Sequence, residues 1–213
     1  MLDGLRSLVG QRARVQGSMG GSGTVARGND PLAAALRALH PDRGVGPEWH
    51  SPVYGEYYAR SLDVYAAVKL RAEAASRPPL VVKLRDSAGN LAPAPLDHPV
   101  QRLLTDGNPW WSRAGVIIAT ETYLSLWGAA FWFLGHSDHS HGAPDELWPL
   151  RPDRVRVIRD ANKYVSGFVY SDGGQDFPML PEEIVWFRYF NPLEEFAGFS
   201  PMAAGRLTAD MGI

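Results

Sequence analysis

Three histidines, His136, His139 and His141, stand beside Asp138 and Asp145, and imidazole with carboxylate is the donor set that binds zinc or another divalent cation. Their spacing differs from the His-Glu-x-x-His pattern that puts two ligands on one helical face, and the Ser/Gly/His composition is that of a solvated loop between strands. The stretch Gly20-Gly21-Ser22-Gly23-Thr24 lacks the Lys and the preceding strand that a phosphate-cradling loop needs, and reads as a linker. Gly198-Phe199-Ser200-Pro201-Met202 lacks the closing glycine of a nucleophile elbow, and Pro201 suits the first turn of a helix, so Ser200 is read as an N-cap. No acid, base and nucleophile set emerges, so the expectation is a protein that is not an enzyme and holds neither metal nor cofactor. A metal-dependent hydrolase built on the histidine loop remains an alternative reading.

Other residues suit contact rather than catalysis. Arg154 and Arg156 alternate with Val155 and Val157, so a strand here puts both guanidinium groups on one face, near Arg151, Arg159 and Lys163. Such a face suits DNA phosphates or an acidic neighbour, and is otherwise an ordinary solvated sheet surface. Glu182, Glu183, Glu194 and Glu195 make the later part of the chain acidic, which suggests a basic-to-acidic contact between copies. Trp110 and Trp111 follow Asn108-Pro109 at the start of a helix, where adjacent residues cannot share one core face. One is expected to anchor another surface, such as a subunit interface, unless two elements divide the pair between their cores. The aromatic fraction of 11%, with seven Trp, also leaves open a binding module for carbohydrate or peptide.

The bulk properties narrow the classes. In 213 residues, 45% hydrophobic content supports one core with or without a loose arm. A formal charge of −2 is unlike the basic balance of a dedicated DNA binder, yet suits a surface past which DNA must slide without being held. With no cysteine, disulfides, thiolate metal sites and cysteine nucleophiles are excluded. Met1–Gly10 has no apolar run of secretory length, and no uninterrupted run of about 18 apolar residues occurs anywhere, so a soluble intracellular product without a membrane partner is expected.

The elements that position these residues follow from spacing and punctuation. Residues 1–58 read as a flexible arm, dominated by the run Gly17–Gly28, with a short helix after the Asp30-Pro31 start. From 59 to 213 the chain reads as one α+β domain, two main helices on mostly antiparallel strands. Ser61 caps a helix carrying Leu62, Tyr65, Ala66, Lys69, Leu70 and Glu73, stopped by Arg77-Pro78-Pro79. A strand Leu80–Arg85, a turn Asp86–Asn90 and a helix His98–Leu104 follow. Ser112 caps the longest helix, through Trp127, with Val116, Ile117, Thr120, Tyr123 and Leu124 on one broad face. Beyond Gly128 come a buried strand Ala129–Leu134, a polar loop Gly135–Asp145, and strands Glu146–Leu150, Arg154–Arg159, Tyr164–Tyr170 and Glu183–Tyr189. Three of these last four are expected to form a meander. The helix opened by Ser200-Pro201 has a formed start and no stop signal before Ile213, which suggests a reading frame cut short.

Four segments in this order resemble the tailed-phage portal protein family. They are Tyr65–Val82, a helix leading through proline into a strand; His98–Leu104 with Asn108-Pro109 downstream; Glu146–Val155, with its Leu-x-Pro-Leu-x-Pro-x-x-Val pattern; and Ile184–Arg188 with the Gly198-Phe199-Ser200-Pro201 turn. The resemblance covers roughly residues 60–213 and implies the amino-terminal half of a head–tail connector, a wing-like α+β unit truncated before the channel and crown regions. It further implies a homo-oligomeric ring, a dodecamer, at one capsid vertex of the virion, assembled in the host cytoplasm. Terminase motor, capsid and tail-adaptor proteins are the implied partners, with double-stranded DNA passing through the channel.

Overall fold

The computed structural model describes residues 53–136, 143–160 and 162–205. The glycine-rich run, the helix expected after Asp30-Pro31 and the histidine loop beyond His136 lie outside the described residues.

Helix α1, Val53–Arg60, spans the boundary expected at residue 58. Its sequence is poor in strong helix formers and contains Gly55, so propensity alone does not predict it. Packing explains it: Tyr57 is buried with Val68, Leu126 and Trp127, and Tyr54 and Tyr58 lie against the same cluster. The next helix, α2 (Leu62–Ser76), begins where Ser61 Oγ accepts the Val64 N–H at 3.4 Å, as its sequence predicts. It buries Val68 and Ala72 and ends before Pro78.

The prolines delay the expected strand, which forms only as β1, Lys83–Arg85. It pairs with a strand the sequence reading missed, β2 (Leu91–Pro93), in an antiparallel hairpin. Asp86 Oδ1 accepts the Ala88 and Asn90 N–H groups at 2.9 and 2.8 Å and closes the turn. Helix α3, Pro99–Asp106, holds this segment through Gln101, whose Oε1 accepts the Val82 N–H at 2.9 Å. Helix α4, Arg113–Trp127, is capped by Ser112, with Oγ accepting from Gly115 N–H at 3.2 Å, and stopped by Gly128 in the left-handed conformation at φ 73°.

The six remaining strands are β3 (Ala129–Gly135), β4 (Glu146–Leu150), β5 (Val155–Asp160), β6 (Tyr164–Asp172), β7 (Gln175–Met179) and β8 (Ile184–Arg188). They form two three-stranded antiparallel sheets, ordered β4-β3-β8 and β5-β6-β7. The second is a meander, but not of three of the four expected strands: β5 and β6 are two of them, the third strand is β7, which the sequence does not announce, and β4 and β8 instead flank β3. Pro178 disguises β7 in the sequence, and is tolerated there because β7 is an edge strand that leaves some N–H positions unpaired. Two strand starts also differ from expectation: Pro152–Arg154 and Pro181–Glu183 are 3-10 turns, each opened by its proline.

Alternation along β3 decides the layers. Phe131 and Phe133 face the second sheet, in a core with Trp148, Leu150, Val157, Phe168 and Met179. Trp132 faces the other way, in a cluster with Leu103 of α3, Val116 of α4 and Leu147. The sheet centred on β3 is therefore sandwiched between a helical layer and a second sheet. Trp132 Nε1–H donates to Thr120 Oγ1 at 2.7 Å, so the one polar atom of that large ring is satisfied inside the apolar contact. No helix of the described residues is long and apolar enough to cross a membrane.

The end of α4 meets the segment after β8 backbone to backbone. A Cβ on Gly128 would lie 2.6 Å from the carbonyl carbon and oxygen of Gly198, and one on Gly198 would overlap the Gly128 carbonyl. Ser200, buried beside this contact, accepts the Ala203 N–H at 2.9 Å and caps a helical turn over 201–205, as its sequence predicts. Gly198→Ala is expected to cost about 3 kcal/mol by overpacking. Gly174→Ala, at φ 80° but with no atom within 4 Å of the added Cβ, should cost only about 1 kcal/mol of backbone strain. Urea denaturation of the two variants checks this ordering.

Candidate functional site

The outer face of the second sheet is where the sequence placed a basic surface. Val155 and Val157 point into the core, which leaves Arg156 on the opposite face with Ile158 and Val169. Val155, Arg156 and Val157 alternate as expected, whereas Arg154, expected on the same strand, precedes it in the 3-10 turn opened by Pro152. What the spacing did not reveal is that each arginine has an acid within the same chain. Arg154, at the end of the 3-10 turn, forms an ion pair with the buried carboxylate of Asp172. Arg156 reaches Asp176 of β7 at 3.9 Å, and Ser171 Oγ–H donates to the same carboxylate at 2.7 Å. A bulge between Ile158 and Arg159 re-aims the strand end, and Arg159 meets Glu194 at 3.0 Å while lying 4.5 Å over the Phe196 ring. Arg151 holds Asp153 through two hydrogen bonds, at 3.0 and 2.6 Å. Asp172 and Asp176 flank the Gly173-Gly174 turn joining β6 to β7; that flanking is the signal by which a hairpin reading could have found them.

These charges sit beside two tyrosines. Burial pushes the Tyr123 phenol up to about 12, against the lowering influence of the Arg151 guanidinium. Tyr170 is likewise raised by burial, with Arg154 pulling the other way.

The tryptophan pair divides as adjacency requires. Trp111 packs at the edge of the cluster formed by Leu103, Val116, Trp132 and Leu147, while Trp110 is 65% exposed. Asn108 fixes both: its Oδ1 accepts the Trp110 and Trp111 N–H groups at 2.8 and 2.9 Å, and its Nδ2–H donates to the Leu147 carbonyl at 2.6 Å. A buried asparagine at this position thus ties the backbone of the tryptophan pair to β4. The cleft among Leu103, Val116, Trp132 and Leu147 measures about 10 Å³, room for little more than a water molecule. Of the histidine loop only His136 and Asp145 are described; among the described residues no cluster of three or more His, Asp or Glu side chains is arranged to hold a metal ion.

On the opposite flank, Arg71 of α2, Glu121 of α4 and Tyr189 after β8 form one group. Arg71 pairs with Glu121 and donates to the Tyr189 hydroxyl, which in turn donates to Glu121 at 3.3 Å. Three separate segments are tied together there.

Residues 62–213, the greater part of the chain, match the phage portal protein family. The chain belongs to that family. The four segments that carry the resemblance in sequence fall on α2 and the approach to β1, on α3, on β4 with its following turn, and on β8 with the Gly198–Pro201 turn. Among solved structures, this portal-family chain is similar to the neck of an empty GTA particle computed with C6 symmetry, at 27% identity and TM-score 0.67, over 83% of this chain and 46% of that one. It is similar too to the neck of a native GTA particle computed with C12 symmetry, at 25% identity and TM-score 0.65, over 83% and 47%. The virion of a native gene transfer agent particle contains a chain with the same fold, at 24% identity and TM-score 0.57, over 93% and 46%. The portal-family chain thus spans about half the length of the solved chains it matches. No curated protein matches the sequence.

Two predictions follow from the charge geometry. Arg154→Ala leaves the buried Asp172 carboxylate without its cation and should cost about 2–3 kcal/mol. Arg156→Ala removes a longer, more exposed pair and should cost about 0.5 kcal/mol or less in the same denaturation assay. For Tyr123, the folded phenol holds its proton more tightly than the unfolded one, so the unfolded state alone ionises as pH rises past about 10. Its contribution to stability is therefore intact below pH 10 and lost as pH rises toward 12; Tyr123→Phe should flatten the fall in Tm over that interval.

Proposed function

We propose that this chain is a portal, or head–tail connector, subunit that contributes the wing-like α+β part of a ring at one capsid vertex. Membership of the portal family over residues 62–213 carries the reading, and the likeness to neck structures, one of them computed with C12 symmetry, supports a ring of twelve. In that role the protein is a structural component of the virion, assembled in the host cytoplasm, and DNA passes through the ring during packaging and ejection. The terminase motor, the capsid and tail-adaptor proteins are the partners such a ring meets in turn.

The described surface fits a part that is gripped by neighbours more than one that grips DNA. Arg154, Arg156 and Arg159 are each matched by an acid of the same chain, which lowers their capacity to hold phosphate, and the overall charge is −2. Of the contact candidates, Trp110 presents the most apolar area to a neighbouring subunit, with the half-buried Trp111 as its support; Arg156 keeps the more exposed guanidinium, and Arg154 orients the turn beside it.

Light scattering with negative-stain imaging of the purified chain tests the proposal. The expected result is ring-shaped particles with a mass many times that of one chain, and a fall in that mass for Trp110→Ala with the fold retained. A monodisperse monomer at high protein concentration would count against ring formation by this chain.

A further inference from the structure

The β1–β2 hairpin is covered on neither face: every residue of both strands is exposed. A two-stranded hairpin in water is marginal alone, so an uncovered one has reason to be completed by a partner. Its register places Arg85 opposite Leu91 and Lys83 opposite Pro93, which puts these four side chains on one face. That face is apolar at Leu91 and basic at Lys83 and Arg85, and neither cation has an ion pair with a described residue.

The segment after β8 has the opposite character. Phe190 and Leu193 are 86% and 84% exposed, and Glu195 beside them is exposed with no ion pair among the described residues. The loop that carries them is held in shape: Leu193 N–H donates to Asn191 Oδ1 at 2.9 Å, Phe196 N–H donates to Glu194 Oε1 at 3.1 Å, and Arg188 donates to the Glu195 carbonyl. Phe196 is stacked on Tyr164 with centroids 4.5 Å apart, which pins the loop base to the second sheet. Among the described residues, no hydrogen bond or ion pair joins the hairpin to this loop.

We infer that the Lys83, Arg85 and Leu91 face of the hairpin receives the Phe190–Glu195 loop of a second copy of the chain. Apolar residues meet apolar residues, and Glu195 meets the two cations. Double-stranded DNA would use the cations but leave Leu91, Phe190 and Leu193 in water, so the pattern favours protein. Because two different patches meet, the contact is heterologous, and repetition of it closes a ring or extends a filament. The inference rests on the ring reading above and names the surfaces that make it.

The chain has no cysteine, so introduced thiols report one pair of positions cleanly. Leu91→Cys and Leu193→Cys chains are purified separately and treated with a short bis-maleimide, alone and mixed. The mixture should give a cross-linked dimer at least tenfold above either chain alone, and the double variant a ladder of higher species. Arg85→Glu should reduce the mixed product several-fold, and Glu195→Lys in the other chain should restore it. Ring-sized mass by light scattering with no mixed product overturns this contact and leaves the ring reading standing; a monomer with no product overturns both. Loss of binding to a duplex DNA fragment in Arg85→Glu, with the mixed product absent in every combination, assigns the hairpin to DNA and overturns the inference.

Discussion

Strand β3 has neither a face nor an edge in water. Its N–H and C=O groups must find partners inside the protein, and they do so in β4 on one side and β8 on the other. Its two faces carry different apolar sets, Phe131 and Phe133 against Trp132, so it needs two covering layers. The helices α3 and α4 supply one and the meander β5-β6-β7 the other. The position of β8 follows as well: a strand far along the chain must return to close the open edge of β3, and the intervening meander folds over the face on the way.

Polar groups fix the details that apolar contact leaves open. Thr120 and Trp132 set the register of α4 on the sheet, Asn108 sets the approach to α4, and Asp172 sets the turn ahead of β5. Each is a buried or half-buried group whose loss of water is offset by a specific partner, which makes the arrangement selective as well as stable. The Arg71, Glu121 and Tyr189 group does the same nearer the surface, where solvent weakens each pair but three segments share the gain.

The sequence was most legible where one local rule acts alone. Ser61, Ser112, Gly128 and Ser200 marked helix ends by cap chemistry, and each stands where that chemistry places it. The buried run of β3 was visible because a strand covered on both faces shows continuous apolarity. Legibility failed where a partner distant in sequence decides. The first helix is held by Leu126 and Trp127, far along the chain, and its own residues give no strong signal. Strand β7 hides behind Pro178, acceptable only because of its edge position, and β2 is three residues long. Alternation placed Arg156 opposite Val155 and Val157, but Arg154 belongs to the 3-10 turn ahead of the strand, and the acids that pair with these arginines come from the next hairpin and from a loop 35 residues on, which spacing within one strand cannot show.

The contact between Gly128 and Gly198 has a mechanical meaning. The C-terminal end of α4, the chain leaving β8 and the cap of the turn that begins at Pro201 meet at a spot with no side chain between them. Side chains can repack to absorb a small displacement, whereas peptide groups in direct contact cannot yield without breaking the carbonyl of Gly128 away from the Tyr189 N–H that it accepts at 2.8 Å. A tilt of α4 is therefore passed to the segment beyond Ser200 as a lever passes a torque, with no slack at the fulcrum.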